Sequence, residues 1–167
     1  DPHGQDLPHI IEHLGMADGQ IMLSTQKVPP EELALLYNLA DYTLNISDAE
    51  GFGLSTLESL TCGTPIIANM TGGLQEQVTD GEEWFGYGIE PCSKAIIGSQ
   101  DIPYIREDRL NKEEFLAAML DFYNLSPEER KQMGQKGAEH VNKNYNFQNF
   151  EKRWVELLTE IHQKYGS

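Results

Sequence analysis

Along the 167-residue chain the spacing of apolar positions changes period several times, and those changes lay out helices and strands in alternation. Leu7 to Leu14 carries Ile10, Ile11 and Leu14 on one side and runs into Gly15, so a helix is expected there. Gln20-Ile21-Met22-Leu23-Ser24-Thr25 is an apolar run of strand length. Val28-Pro29-Pro30-Glu31-Glu32 then opens a helix with proline in its first turn, and Leu33, Leu36, Tyr37 and Ala40 give it one apolar side. Further strands are expected at 42–47, 65–69 and near 85–89, separated by helices at 53–62 and 73–79. From Pro91 to Leu110 the periodicity fades, and an insertion or long loop (91–110) is expected. Three helices close the chain: Lys112 to Asn124, Pro127 to Asn144 with Ser126 as N-cap, and a C-terminal helix over 147–165. The alternation predicts an α/β fold in one domain over 1–167, with strands made parallel by their helical crossovers. Ligands of such sheets collect at the carboxyl ends of the strands, where Glu50 and the Gly72-Gly73 loop should both lie.

The run Glu50-Gly51-Phe52-Gly53-Leu54-Ser55-Thr56-Leu57-Glu58 follows the strand Tyr42 to Ser47 and opens the next helix. Gly51 and Gly53 let the main chain approach a ligand closely, and the first free N–H groups of the helix form an anion site. Carboxylates do not hold phosphate, but Glu50 and Glu58 can accept hydrogen bonds from hydroxyls. A ligand bearing both phosphates and hydroxyls suits the segment. A rival chemical reading makes Glu50 and Glu58 the acid and nucleophile of a glycosidase, whose carboxyls sit about 5–9.5 Å apart. Eight residues span about 12 Å even when helical, which disfavours that pairing.

Four motifs in order carry a family resemblance between Tyr37 and Gly81: Leu39-Ala40-Asp41-Tyr42 ahead of the strand, Glu50 to Glu58, Cys62-Gly63-Thr64-Pro65-Ile66-Ile67-Ala68, and Gly72-Gly73-Leu74-Gln75-Glu76 with Asp80-Gly81. The set resembles the retaining, nucleotide-sugar-dependent glycosyltransferases of family 4 (group 1) and their GT-B fold. The resemblance implies a Rossmann-like C-terminal donor-binding half, truncated at its N-terminal edge. It implies that Glu50, Gly51, Phe52 and Gly53 face the donor sugar, and that Gly53, Leu54, Ser55 and Thr56 receive the diphosphate. Glu58 would hold the ribose, Thr25, Gln26, Lys27 and Val28 would edge the base, and Gly72 and Gly73 would approach the donor. Glu76 is expected to fix its loop by hydrogen bonds rather than to react. No catalytic residue is expected in the chain. The substrate implied is a nucleoside diphosphate sugar, with no cofactor and no metal required, and a glycan, lipid or protein acceptor held by a domain outside the chain.

Charge sharpens this picture. Of the net −15, residues 1–93 hold fifteen acidic residues against Lys27 alone, whereas residues 94–167 are almost balanced. Such a field disfavours nucleic acid and anionic membranes as partners. It also leaves the diphosphate without the Arg or Lys that usually helps to hold it. By resemblance that pair lies on a preceding β-α unit, so the chain alone is expected to bind donor weakly and not to turn over. The opening Asp1-Pro2, without Met, reads as the start of an excised piece. Cys62 and Cys92 fit neither a disulfide scaffold nor a zinc site and are expected as reduced thiols of a cytoplasmic protein. No apolar run is long enough to span a bilayer. His3, His9, His13, His140 and His162 show no convincing triad or ligand set, although His9 and His13 are four apart on one helix. Tyr145, Phe147, Phe150, Trp154, Leu157, Leu158 and Ile161 form a stripe expected in the core or packed across to a further domain. Two other readings stay open: a non-catalytic nucleotide-sugar-binding or sensing module, and a GT-B epimerase or phosphorylase.

Overall fold

The computed structural model describes residues 5–166, so His3 and the Asp1-Pro2 opening lie outside the described residues. Three strands, β1 (Thr43–Asn45), β2 (Ile66–Asn69) and β3 (Gly86–Ile89), form a parallel sheet in that order. Thr43 pairs with Ile66, and Ile66 with Gly86. Side chains alternate across β2, so Ile66 and Ala68 enter one apolar cluster and Ile67 enters another. The first cluster adds Leu60 of helix α3 (Leu54–Thr61), Leu74 of α4 (Leu74–Gln77) and Val141 of α6 (Pro127–Asn144). The second adds Ala118 and Phe122 of α5 (Lys112–Asn124), with Tyr42 and Tyr87 against the Phe122 ring. All four strand residues of β2 are buried, which is what a central parallel strand covered on both faces requires. The result is the helix–sheet–helix layering expected from the alternation.

Two helices precede β1: α1 (Leu7–His13) and α2 (Pro30–Leu39), the latter with proline at its first positions as its sequence implies. The strand expected at Gln20–Thr25 does not form. Ile21, Met22 and Leu23 have the composition of a strand, yet no described strand runs beside them, and Met22 is 88% exposed. A strand exists only through its ladder, so propensity without a partner leaves an open segment.

The 91–110 segment is not a loop. It folds into an antiparallel hairpin of β4 (Ser93–Ile97) and β5 (Ile105–Arg109), paired from Ser93↔Arg109 to Ile97↔Ile105. Its base is bolted to the carboxyl ends of β1 and β2. The Asp108 N–H donates to the Asp48 carbonyl (2.6 Å), and Asn69 Nδ2 bridges the Ser47 and Asp108 carbonyls (2.9 and 3.1 Å). Thr71 Oγ1 donates to the Asp108 carboxylate at 2.7 Å, and Arg109 pairs with Asp48 at 2.8 Å.

Helices α5, α6 and α7 (Phe147–Tyr165) occupy the ranges expected of them. Ser126 and Glu129 form a reciprocal capping box on α6. The stripe on α7 does not enter the core: none of its residues is buried, and Trp154 remains 49% exposed. The helix follows the Tyr145 turn, and among the described residues its apolar side faces the edge of the unit formed by Phe52, Leu57 and Tyr145.

Candidate functional site

Asn45, the last residue of β1, is buried and sets the geometry of the Ser47–Gly53 loop. Its Nδ2 donates to Thr56 Oγ1 at 3.0 Å and to Ser55 Oγ at 3.4 Å, while its Oδ1 accepts from the hydroxyl and N–H of Ser47. The strand end, the loop and the first turn of α3 are thereby tied together. Thr56 is fully buried by this bond, so its hydroxyl is turned away from any ligand. Of the two hydroxyls expected to reach the diphosphate, only that of Ser55 lies on an exposed residue. Thr56 retains its N–H.

Gly53 is the N-cap of α3, with φ +84°, and no side chain caps the helix. The first helical bond runs from Leu57 N–H to the Gly53 carbonyl. Among the described residues the N–H groups of Leu54, Ser55 and Thr56 therefore have no acceptor, which is the arrangement that favours an anion.

The two glycine segments interlock. Gly73 N–H donates to the Gly51 carbonyl at 2.9 Å, and Gln77 Nε2 donates to the Phe52 carbonyl at 2.5 Å. A Cβ on Gly72 (φ +51°) would stand 1.8 Å from the Glu50 carbonyl oxygen, and one on Gly73 would stand 2.7 Å from that of Phe52. Only glycine permits this approach of backbone to backbone. The sequence motifs Glu50–Gly53 and Gly72–Gly73, about twenty residues apart, are thus one piece of structure at the carboxyl edge of the sheet.

Glu50 is half-buried and accepts from its own Gly51 N–H at 3.2 Å; Glu58 lies on α3 and accepts from Tyr37 Oη of α2 at 3.1 Å. Burial, the hydrogen bond to Glu58 and that carboxylate's charge push the Tyr37 hydroxyl up to about 12. Tyr37 is therefore a firm proton donor that holds Glu58 in place. Between α2 and α3 lies a mainly apolar groove of about 210 Å³, lined by Pro30, Leu33, Tyr37, Leu57, Glu58 and Cys62. Pro30 follows Val28 by two residues, so the segment Thr25–Val28 leads into the groove that Glu58 borders. Burial and the charge of Glu58 raise the Cys62 thiol, which keeps it protonated and unreactive.

Glu76 fixes its loop by a different route from the one expected. Its side chain is exposed and accepts no bond among the described residues; its backbone carbonyl accepts from Tyr145 Oη at 2.9 Å and meets His140 Nε2 at 3.2 Å. Asn144 Nδ2 faces His140 Nδ1, which leaves Nε2 as the protonated nitrogen. Asn45 and Gln77 are supporting residues that the sequence did not single out, while Tyr37 and Tyr145, read there as apolar positions, act here through their hydroxyls. Among the described residues no group of three His, Cys, Asp or Glu side chains converges on a common point. The site offers anion donors on the backbone and hydroxyl acceptors on two glutamates.

The family described as Glycosyl transferases group 1 matches residues 2–140. The chain belongs to this family. A D-inositol 3-phosphate glycosyltransferase of Acidothermus cellulolyticus is 45% identical over 69 residues, which cover 41% of the chain and 15% of that enzyme. A trehalose synthase of Pyrococcus horikoshii is 25% identical over 144 residues, covering 86% of the chain and 29% of the relative. The matched stretches thus span less than a third of these two relatives. In three dimensions the unit superposes on a sucrose-phosphate synthase from Thermosynechococcus elongatus with a TM-score of 0.71 at 22% identity, covering 98% of this chain and 37% of that one. It also matches the C-terminal domain of the group 1 protein LpcC from Francisella tularensis, with a TM-score of 0.59, 25% identity and coverage of 84% and 61%. The Rossmann-like layer of this family member is that of the GT-B fold. No described helix is long and apolar enough to cross a membrane.

Proposed function

We propose that this chain forms the donor-binding side of a retaining, hexosyl-type glycosyltransferase, which moves a sugar from a nucleoside diphosphate sugar to an acceptor. The observation that carries the reading is the interlocked pair of glycine segments beside the uncapped N-terminus of α3. As the glycosidic bond breaks, negative charge grows on the departing diphosphate, and the N–H groups of Leu54, Ser55 and Thr56 stand ready to stabilise it. Glu58, steadied by Tyr37, receives the ribose hydroxyls, and the groove beside it receives the base. Glu50 accepts from hydroxyls of the donor sugar. On this reading no metal ion is required, and the acceptor is held by another part of the whole protein. Consistent with that division, the relatives' names differ in the acceptor or product they imply: D-inositol 3-phosphate, L-malate, trehalose. The reading also places the protein in the cytoplasm, where nucleotide sugars are at hand.

The chain alone binds donor weakly on this account, because Lys27 is the one basic residue before position 94. Calorimetric titration with uridine, guanosine and adenosine diphosphate sugars, and with the bare diphosphates, tests the assignment. Glu58→Ala should weaken sugar-bearing and bare nucleotides alike, by about 1–3 kcal/mol for a lost charged hydrogen bond. Glu50→Ala should weaken the nucleotide sugar and leave the bare diphosphate nearly unaffected. Equal losses for both ligands in Glu50→Ala, or an unchanged affinity in Glu58→Ala, would remove that residue from its role. A non-catalytic sensor built on the same layer would bind with the same pattern but give no sugar transfer in the whole protein.

A further inference from the structure

Gln77 is fully buried at the end of α4, where a polar side chain needs a reason to be. One half of its amide has one: Nε2 donates to the Phe52 carbonyl at 2.5 Å. The other half does not, for Oε1 has no hydrogen-bond partner among the described residues. That oxygen stands 3.6 Å from where a Cβ on Gly53 would be, so the unpaired acceptor faces the mouth of α3. Leu74 Cδ2 would come within 2.3 Å of the same Cβ, so α4 packs directly under Gly53.

Peptide geometry turns this contact into an orientation. In a trans peptide the C=O and the N–H of the next residue point in opposite directions, and the chain has no cis bond among the described residues. Gln77 holds the Phe52 carbonyl, so the N–H of Gly53, itself a buried residue, points to the opposite side of the peptide, away from Gln77. Gly73 does the same for the preceding unit, since its N–H holds the Gly51 carbonyl inward and turns the Phe52 N–H outward. The Phe52 and Gly53 N–H groups, like those of Leu54, Ser55 and Thr56, have no backbone acceptor among the described residues, so two further donors precede the helix.

We infer that Gln77 is a positioning residue of the donor site: it orients the Phe52–Gly53 peptide so that the Gly53 N–H donates to an anionic oxygen of the ligand. The inference rests on the donor reading above for the identity of the ligand, but the orientation itself is a property of the unliganded chain. A buried apolar residue would fill the same space and leave this peptide free to rotate, because Gly53 carries no side chain to resist it. The glutamine therefore acts through the backbone, and only its Nε2 is needed for the effect.

In the full wild-type chain labelled with 15N and 13C, a through-hydrogen-bond scalar coupling is expected between Gln77 Nε2 and the Phe52 carbonyl carbon. Slow exchange of that side-chain amide should accompany it. Gln77→Met keeps length and apolar volume without the donor, and Gln77→Glu keeps shape but presents acceptors to an acceptor. Both should speed amide exchange at Phe52, Gly53 and Leu54, and both should weaken uridine, guanosine or adenosine diphosphate by about tenfold, the loss of roughly one oriented donor. Val78→Ala, a buried neighbour on the same segment, should lower thermal stability without either effect, which separates positioning from simple support. No coupling and a fast-exchanging Gln77 amide in the wild type would overturn the inference without any variant having to fold. So would wild-type exchange rates and affinity in Gln77→Met. If the wild-type chain binds none of the three diphosphates, the donor reading fails, and the coupling together with the exchange rates still decides the role of Gln77.

Discussion

Tyr37 and Glu58 show how a single side chain can make another useful. The carboxylate of Glu58 is partly exposed, and such a carboxylate on a helix samples several rotamers unless something holds it. The Tyr37 hydroxyl holds it from α2 at 3.1 Å and stays protonated because burial first, and Glu58 second, raise its titration to about 12. A raised value on an acid that is neutral when protonated favours the folded state while the proton is on. The stabilisation is complete below the ordinary value of 10 and is lost as pH climbs from 10 towards 12. Urea unfolding of the wild type and of Tyr37→Phe, measured across that window, should show the difference between the two shrinking with rising pH. A difference that stays constant would mean that the hydroxyl titrates normally. Glu58→Gln should bring Tyr37 down only part of the way, since burial, the larger cause, remains. The same residue scale explains why Thr56, although next to Ser55, is not its equivalent. Asn45 claims the Thr56 hydroxyl for the core, and the functional group left to Thr56 is its N–H.

Between elements, the contact most sensitive to one atom is the crossing of α6 over the turn after α3. A Cβ on Gly134 would stand 1.9 Å from the carbonyl oxygen of Gly63, which is backbone and cannot swing aside. Alanine is the better helix former by about 1 kcal/mol, so propensity alone favours Gly134→Ala. Overpacking against backbone costs about 1–3 kcal/mol and should win. Chemical denaturation should therefore show net destabilisation by the substitution; a more stable variant would mean that the two elements do not touch. Gly134 also marks how far the sequence could be read. The start of α6 was legible because its signal is local, Ser126 capping the helix with its own side chain, and the structure shows Asn111 and Asn146 doing the same for α5 and α7. The segment Gln20–Thr25 misled because composition carries propensity but not a partner. The hairpin was hidden for the opposite reason. Ile105-Arg106-Glu107-Asp108-Arg109 has no apolar alternation, and its place is fixed by polar bonds to Asn69, Thr71 and Asp48, which no period reveals. In the site, the glycines and glutamates stood out as a motif, whereas Asn45, Gln77 and Tyr37 matter only through meetings of distant elements.

For the molecule as a whole the governing quantity is charge. Fifteen acidic residues against Lys27 fill the first 93 positions, and the net charge is −15. The ion pairs available to offset this are mostly at the surface: Lys136–Glu83 is about half exposed on both sides, and Lys152–Glu156 more so. Pairs of that kind contribute about 0–1 kcal/mol each and are themselves screened by salt. Arg109, at the hairpin junction beside the loop that carries Glu50, is engaged by Asp48 and Glu107, so its single positive charge leaves that junction negative. Repulsion among the remaining carboxylates is then the larger long-range contribution, and it acts across the sheet edge where the donor is proposed to bind. Salt shortens the reach of such repulsion from about 30 Å at 0.01 M to about 10 Å at 0.1 M and about 3 Å at 1 M. The thermal midpoint of the chain should therefore rise with sodium chloride over that range, steeply at first and then levelling as the screening length falls below the spacing between carboxylates. A midpoint that falls instead would mean that the surface ion pairs outweigh the repulsion. The same experiment separates binding from folding, because screening that steadies the fold also weakens the pull of the N–H row on a diphosphate. Affinity for a nucleoside diphosphate should pass through a maximum at intermediate salt, where relief of carboxylate repulsion and loss of attraction at the helix terminus balance.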